Sequence, residues 1–361
     1  MEKRTWIILG LVLFFSILVR ILLLGSSFSD DSSYFHLRLI ERIAEERKLS
    51  FTDPLSYGGR AYPYPPFFYT LLAVLFLIAK PAVLFFPLLV VGLFPLVIFF
   101  LSLHITRSEP ASLLSAAAAG TLPIFLVSSV NLLSPLHIAM PLFFLCLYFF
   151  IRIRLDNAFL YAYLVSFIAL TLTSPFVFLF VLLLFVYLVL LRLEEKRIAK
   201  KEFELFLFSL FFPSWFYLLL YKDVLFAQGL GILLRNVPPS LLLSHFQGFS
   251  LLTFLAALGI VVFVVGFYML YKIIFSYKDK DLLLLVAGST VLLVGMAATL
   301  LTLFEGLFFL AGFFSLLVGV FFAKSSSYLE ALKIARYKWF LGVFFVLALL
   351  LTNLLPAGYF L

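Results

Sequence analysis

Charged residues are scarce in this chain. Only 12% of its 361 residues are Asp, Glu, Lys or Arg, whereas 65% are hydrophobic and the mean hydropathy is +1.19. A water-soluble domain of this composition would have too little polar surface to face solvent, so the sequence predicts an all-α polytopic membrane protein. The chain also has a single cysteine, Cys146. One cysteine excludes an intrachain disulfide, and it gives no indication of thiolate metal chemistry.

Acidic residues are fewer than basic ones, 18 against 26, which gives a net charge of +8. In a soluble protein this excess would suggest nucleic acid as a partner. In a membrane protein it is explained by Lys and Arg on cytoplasmic loops, because these residues are retained on that side of the bilayer. We therefore predict membrane lipids as partners and no nucleic acid.

Apolar runs of spanning length predict about eleven transmembrane helices. They lie at 5–24, 82–103, 111–130, 134–151, 158–172, 174–192, 203–221, 248–272, 282–303, 305–323 and 339–355. One further run, 66–79, has about 14 residues, which is short for a span. If it crossed the membrane, every later loop would change sides.

The distribution of basic residues indicates that the run 66–79 does not cross the membrane. With a cytoplasmic N-terminus and this run in the interface, most of the 26 basic residues fall in cytoplasmic loops, whereas the acids divide almost evenly. The positive-inside rule then predicts eleven spans and an external C-terminus. The whole chain, 1–361, is a single transmembrane domain in this interpretation. Its long external loops are 25–81, proposed as a catalytic loop, and 222–247, proposed as a flap.

An acidic pair, Asp30 and Asp31, follows the first span inside the loop 25–81. The segment 33–48 after it is amphipathic, which predicts a helix lying on the membrane surface. Asp31 or Ser32 is expected to cap that helix. A cap is compatible with function, because a helix N-terminus keeps a carboxylate ionised. Such a pair could bind a divalent cation or accept a proton from an acceptor hydroxyl.

Three further features are candidates for substrate contacts. The stretch YPYPPFFY, 62–69, has tyrosines that suit the headgroup level, either as plain interfacial anchors or as a substrate surface. Arg60, just before it, and Arg235, in the flap 222–247, could each pair with a phosphate. Glu305 is the one ionisable residue between Asp281 and Lys324. An isolated acid at the outer end of a span is a functional candidate, or else a carboxylate at the water boundary.

The order of these motifs carries a resemblance to a known family. An acidic pair, YFHLRLIERI, DPLSYGG, YPYPPFFY and a short apolar run follow one another. This order resembles the first external loop of the GT-C superfamily of membrane glycosyltransferases, in particular the catalytic subunit of archaeal oligosaccharyltransferases. The resemblance implies two surface helices in that loop, at about 33–48 and 66–79. It also implies that a sugar is transferred from a polyprenyl-phosphate or polyprenyl-pyrophosphate carrier on the extracytoplasmic face of a prokaryotic-like plasma membrane.

The resemblance also implies roles for individual residues. The acidic motif of the family corresponds to Asp30 and Asp31, and its late Thr-x-x-Glu motif is similar to Thr302 to Glu305. A divalent cation, Mg²⁺ or Mn²⁺, would bind there; with a monophosphate donor the metal would be dispensable and Asp31 would be the base. The predicted roles are: catalytic, Asp31 and Asp30; metal ligands, Asp31, Glu305 and His137; donor phosphate, Arg235 and Arg60; substrate or acceptor, Tyr64, Thr302 and His36.

The chain departs from the family in two respects. The outer turn 128–135 has no acid where oligosaccharyltransferases have one, so Asn131 or His137 would replace it as a ligand. The chain stops at Leu361 without the soluble C-terminal domain of the family, which leaves open whether a partner subunit supplies it. Two other functions also stay open. One is a transporter or flippase for lipid-linked sugars, and the other is a non-catalytic assembly subunit.

Overall fold

The computed structural model describes residues 2–53, 60–229, 239–332 and 338–360. These residues form sixteen α-helices and one short antiparallel ribbon, in which β1 (Thr52–Asp53) pairs with β2 (Arg60–Ala61). The helices are α1 (Lys3–Leu23), α2 (Asp31–Glu46), α3 (Pro66–Ile78), α4 (Ala82–Thr106), α5 (Glu109–Thr121), α6 (Pro123–Ser129), α7 (Leu136–Arg152), α8 (Ala158–Thr173), α9 (Val177–Leu193), α10 (Lys200–Gln228), α11 (Pro239–Gly248), α12 (Leu251–Leu258), α13 (Ile260–Phe275), α14 (Lys280–Ala297), α15 (Leu303–Ala331) and α16 (Lys338–Phe360).

Helices α2 and α3 correspond to the two short helices predicted for the first loop. Pro66 starts α3 at a position where its missing N–H costs nothing. The apolar face of α2 is covered by protein: Ile40 is fully buried and belongs to one cluster with Phe68 and Leu72 of α3. The two helices therefore form a compact unit, because each buries the apolar face of the other.

Helices α1 and α4 run antiparallel. The ring of Trp6 packs against Phe100 with centroids 6.2 Å apart, whereas a Cβ at Gly92 would lie 2.9 Å from Ile17. The chain thus enters α4 at the face of the helix bundle where it left α1. Helix α3, between them, is 13 residues long, about 20 Å, which is too short for a hydrocarbon core of about 30 Å. The geometry agrees with a run 66–79 that stays on one side.

Phenylalanine rings pack onto glycine backbones where the central helices meet. A Cβ on Gly288 of α14 would lie 2.2 Å from the ring of Phe313 in α15, and one on Gly266 of α13 would lie 2.2 Å from Phe314. Lipid tails are as apolar as these side chains, so association of helices in a membrane depends on close packing more than on the hydrophobic effect. Helix α15 is consequently the buried axis of the bundle.

By length and hydropathy, five of the described helices could each cross a membrane: α1, α4, α10, α14 and α15. Two more spans result if the bent pairs α5–α6 (49°) and α12–α13 (107°) each count as one. The chain is therefore a helical, polytopic membrane protein. The prediction of about eleven spans stays a prediction, since α7, α8 and α9 are apolar but only 16 or 17 residues long.

The break between α5 and α6 is stabilised by a buried arginine. Pro123 has no N–H to donate, so the helix bends there, and the carbonyls in the last turn of α5, including that of Gly120, have no i+4 donor in their own helix. Arg20 of α1 is fully buried; its Nη1 donates to that carbonyl at 3.2 Å, and its Nε donates to Ser129 Oγ at 2.9 Å. Arg20 thus replaces a lost backbone hydrogen bond and holds the end of α6, as a bent membrane helix requires.

Candidate functional site

Asp30 is the N-cap of α2, and this corrects the expectation that Asp31 or Ser32 would cap it. Its Oδ1 accepts from the Ser33 backbone N–H at 3.1 Å and from the Ser33 hydroxyl, and its Oδ2 accepts from Ser32 Oγ at 2.6 Å. Partial burial opposes ionisation, but these hydrogen bonds and the nearby His36 hold the pKa of Asp30 below its usual value. The Asp30 carboxylate is therefore ionised, and both of its oxygens already accept hydrogen bonds from the first turn of α2.

Asp31 has a different environment from its neighbour. It is the first residue of α2 and is exposed. Within the described part of the chain no hydrogen bond or ion pair involves its side chain. The carboxylate of Asp31 is thus open to a substrate or an ion, although it does not itself line the cavity described below.

The turn between α6 and α7 is docked onto the acidic loop. The backbone N–H of Leu133 donates to Ser33 Oγ at 2.7 Å. Asn131 accepts three times: its Oδ1 from Gly25 N–H at 3.0 Å, and its carbonyl from Ser29 N–H at 2.8 Å and from Ser29 Oγ at 3.1 Å. Asn131 has φ of +57°, a conformation that Asn tolerates better than most residues. Its side-chain oxygen is engaged with Gly25, so Asn131 fastens the loop here.

His137 has both ring nitrogens in hydrogen bonds to the backbone. Its Nε2 lies 2.7 Å from the carbonyl oxygen of Ser128, and its Nδ1 accepts from Ser134 N–H at 3.3 Å. This pattern specifies the neutral tautomer with the proton on Nε2, and the side chain is 1% exposed. A metal ion could bind His137 only after one of these bonds was broken.

A cavity of about 940 Å³ lies at the face where α1 ends and α4 begins. Distant segments contribute to its wall: Phe35 and His36 from α2, residues 62–65 and Tyr69 from the loop and α3, Ser134 to Leu136 before α7, Thr173 to Phe176 between α8 and α9, Tyr221 and Val224 of α10, and Leu300, Leu301 and Glu305 around the start of α15. Glu305, His36 and Tyr64, which the sequence assigned to one site, thus share this cavity.

Glu305 has two functions in the structure. Its Oε2 accepts from the backbone N–H of Thr302 at 3.0 Å and from the Thr302 hydroxyl at 2.7 Å, which closes a capping box at the start of α15. The carboxylate is also part of the cavity wall. Thr302 orients Glu305, but it is not among the residues that line the cavity.

The cavity wall is rich in aromatic hydroxyls. Tyr69 OH lies 2.9 Å from His36 Nδ1, Tyr64 OH donates to the Ser50 carbonyl at 3.1 Å, and the Tyr64 and Tyr69 rings are 4.5 Å apart. Burial lowers the pKa of His36 to about 4, an effect that the nearby Asp30 only partly offsets. Burial also raises the pKa of Tyr64. At neutral pH the wall therefore offers an uncharged imidazole and protonated phenols, which are suited to hydroxyl-rich ligands.

Sequence reasoning missed part of this wall. Tyr69 ends the YPYPPFFY stretch and could have been found there, whereas Tyr221 and Ser174 belong to apolar runs that carry no local signal. Neither predicted phosphate ligand can be placed at the cavity: Arg235 lies outside the described residues, and Arg60 lies in β2, paired in register with Asp53. Of the described residues that line the cavity, none is Lys or Arg.

The predicted metal ligands are not assembled. In the described ranges no group of three or more His, Cys, Asp or Glu side chains is placed to hold a metal ion. Asp31 does not line the cavity, the Glu305 carboxylate accepts from Thr302, and His137 is saturated. The divalent cation stays a prediction, and the residues present do not fit it in this arrangement.

Comparison with known proteins identifies the fold. No protein-family model and no curated protein matches the sequence. The crystal structure of the Archaeoglobus fulgidus oligosaccharyltransferase in the apo form does match, with a TM-score of 0.74 and 14% identity over 100% of this chain and 56% of that chain. The chain therefore shares the fold of this archaeal oligosaccharyltransferase over the matched part, and the predicted resemblance is confirmed at the level of the fold.

Two further structures from Archaeoglobus fulgidus are similar to the chain. AglB in complex with an inhibitory peptide and a dolichol-phosphate matches with a TM-score of 0.72 at 14% identity, over 99% of this chain and 56% of that chain. The oligosaccharyltransferase complex with Zn and sulfate matches with a TM-score of 0.63 at 14% identity, over 97% and 53%. The chain thus spans about half the length of the archaeal oligosaccharyltransferases whose fold it shares.

Proposed function

We propose that the chain is a GT-C type membrane glycosyltransferase that transfers a sugar from a polyprenyl-phosphate or polyprenyl-pyrophosphate donor to an acceptor. The observation that carries the proposal is the shared cavity. Glu305, from the start of α15, and His36 and Tyr64, from the first loop, line one space although they are far apart in the sequence. A structure with this fold has been solved with a dolichol-phosphate, which supports a polyprenyl-linked ligand for this cavity as well.

The volume and chemistry of the cavity support a sugar as the transferred group. A space of about 940 Å³ is at the upper end of the range of ligand pockets, about 300–1,000 Å³. Phenols of Tyr62, Tyr64 and Tyr69 and the neutral His36 offer donors and acceptors without a fixed charge. Such groups can pair with sugar hydroxyls at little desolvation cost, because each can reverse its role.

The transfer step needs a base and a cation. The acceptor oxygen or nitrogen forms a bond to the anomeric carbon, the carbon–oxygen bond to phosphate breaks, and its electron pair leaves with the phosphate. A carboxylate takes the acceptor proton. Asp31, which has no partner in the described residues, and Glu305, in the cavity wall, are the two candidates. Arg60 and Arg235 are proposed to stabilise the leaving phosphate.

The proposed topology places this cavity on the extracytoplasmic side of the plasma membrane. The support for this topology comes from the opposite face of the helix bundle, where basic residues form ion pairs: Arg154 Nε lies 2.7 Å from Glu202 Oε1, and Lys278 pairs with Glu194 at 2.7 Å. The basic residues at that end of the bundle fit a cytoplasmic surface under the positive-inside rule. The N-terminus is then cytoplasmic, and about eleven spans remain the expected number.

The test is sugar transfer by the purified chain in liposomes that contain a radiolabelled polyprenyl-phosphate sugar and, separately, the pyrophosphate form. We expect Glu305→Gln and Asp31→Asn each to lower the rate at least about a hundredfold, the range for loss of a general base. Glu45→Gln is the matched control, since Glu45 is an exposed acid on α2 away from the cavity wall. Equal rates in all three variants would refute the assignment. Carrier translocation without transfer would identify a flippase instead.

A further inference from the structure

A second polar cavity lies at the other end of the helix bundle from the candidate active site. Its volume is about 540 Å³, and its wall comes from the end of α4, the start of α14 and the last turns of α15. Helix α4 begins at the face of the first cavity and ends here, at Arg107. The two cavities are therefore separated by the length of a spanning helix, and the sugar-transfer proposal makes no use of the second one.

Positive charge exceeds negative charge in the wall of this second cavity. Arg107, Arg154, Lys280 and Lys324 face it, together with the carboxylates of Asp279 and Asp281. Of the cations, Arg154 is neutralised by Glu202 and by Asp281 at 3.3 Å. In the described ranges neither Arg107 nor Lys324 has an acidic partner. An anion between them would offset charge that the protein leaves uncompensated.

Lys324 also borders a neighbouring cavity of a different character. This third cavity is about 350 Å³ and is bounded by α13, α15 and the start of α16. Its wall is mixed but less polar than that of the second cavity: Met269, Phe321, Leu329 and Leu341 line it together with Lys272, Lys324, Ser325 and three tyrosines. Side chains of α15 divide between the two spaces with helical periodicity: 320, 323 and 327 face the second cavity, whereas 321, 325 and 328 face the third. Lys324 lies between them, with its Nζ 4.8 Å from the centroid of the Tyr277 ring.

A polar, cationic space beside a less polar one that contains Met269, Phe321, Leu329 and Leu341 matches the two halves of a phospholipid. We propose that the paired cavities bind one anionic phospholipid of the leaflet on this face, with its phosphate between Arg107 and Lys324 and an acyl chain along Phe321 and Leu341. A soluble anion can carry the same phosphate group as a lipid headgroup, so the cations alone do not distinguish the two ligands. The adjoining cavity favours the lipid, because a soluble phosphate would leave its apolar side chains, Met269, Phe321, Leu329 and Leu341, without a ligand. Basic pockets between membrane helices hold lipid headgroups in this way.

The test uses the detergent-solubilised full chain, titrated with phosphatidylglycerol and monitored by native mass spectrometry. Arg107→Gln/Lys324→Gln should bind the lipid about thirtyfold more weakly, since each basic residue near an anionic headgroup contributes about 1 kcal/mol. The control Lys3→Gln/Arg4→Gln removes the same charge from exposed positions on the same face and should bind as the wild type does. Arg107→Lys/Lys324→Arg keeps the charge and should also keep the binding.

Four results would overturn the proposal. The first is equal weakening in the two Gln double variants, which would show a general charge effect. The second is equal affinity of the wild type for phosphatidylcholine, a lipid without net charge. The third is displacement of phosphatidylglycerol by glycerol 1-phosphate at the same concentration, which would identify a soluble phosphate as the ligand. Thermal unfolding of each variant checks that it is folded, and loss of binding in the Lys/Arg variant would count against the site.

Discussion

The hydroxyl of Ser33 joins the two segments on which the candidate site depends, and its removal is the sharpest test of that arrangement. Ser33 Oγ accepts from the Leu133 backbone N–H at 2.7 Å and donates to the Asp30 carboxylate. Ser33 is 1% exposed and Leu133 is fully buried. The change Ser33→Ala therefore leaves a buried N–H without an acceptor and removes one hydrogen bond to the helix cap.

The cost follows from these two losses. An unsatisfied buried N–H costs about 1–3 kcal/mol, and a net hydrogen bond contributes about 0.5–1.5 kcal/mol, so Ser33→Ala should lower the free energy of unfolding by about 2–4 kcal/mol. Ser32→Ala is the matched control. Ser32 also donates to Asp30, at 2.6 Å, but it is exposed, and within the described residues its side chain makes no hydrogen bond to another segment. Its loss should cost less than about 1 kcal/mol.

Two measurements separate this reasoning from a general weakening of the protein. Equilibrium unfolding in detergent gives the difference in stability between the two alanine variants. Hydrogen exchange followed by mass spectrometry reports the turn itself, where the Leu133 amide should exchange at least about tenfold faster in Ser33→Ala and at the wild-type rate in Ser32→Ala. Equal stability losses, or an unchanged exchange rate at Leu133, would refute the docking of the turn onto the acidic loop.

Two further predictions concern packing and pH. Gly319→Ala should destabilise the bundle by about 1–3 kcal/mol in thermal unfolding, because the new Cβ would lie 2.0 Å from Ser115 Oγ and 2.9 Å from a backbone oxygen. The control is Gly10→Ala, which should be neutral or stabilising because its Cβ would have nothing within 4 Å. Equal effects of the two substitutions on unfolding would contradict the packing at Gly319. The pKa of His36 is about 4 in the folded chain, against 6.5 for an ordinary histidine, so the unfolded chain takes up the proton at a higher pH. The contribution of His36 to the free energy of unfolding is therefore complete above about pH 6.5 and is lost as the pH falls toward 4, by up to about 3 kcal/mol. His36→Gln should flatten that part of the profile of unfolding free energy against pH, and a wild-type slope in this variant would contradict the burial of a neutral imidazole.

The sequence was sufficient to predict the features that depend on composition and charge. The short run 66–79 was predicted not to cross the membrane, because the opposite choice would reverse the distribution of Lys and Arg. The antiparallel packing of α1 and α4 agrees with that choice. The amphipathic pattern predicted α2 to within a few residues, since the pattern 33–48 becomes a helix at Asp31–Glu46. These signals lie within single segments or within the charge balance of the whole chain.

The composition of the cavity wall could not be predicted in the same way. Helices that are apolar around their whole circumference give no indication of which neighbour they contact, because lipid and protein interiors are equally apolar. Thr173 and Tyr221 are therefore indistinguishable in sequence from residues that face lipid, although both line the cavity. The role of Asp30 was also assigned to its neighbour, since a run of Asp, Asp and Ser offers several equivalent caps and only the backbone angles select one.

The contrast between the two acids shows why a motif specifies a location before it specifies a mechanism. Asp30 accepts three hydrogen bonds from its own helix, so its charge is used to fix the direction in which α2 enters the site. Asp31 follows it by one residue, points into solvent and has no such partners in the described chain. Glu305 combines both functions, because one carboxylate can cap α15 and still face the cavity. Sugar transfer would thus require Asp31 and Glu305 chemically, whereas Asp30 would be required to place them.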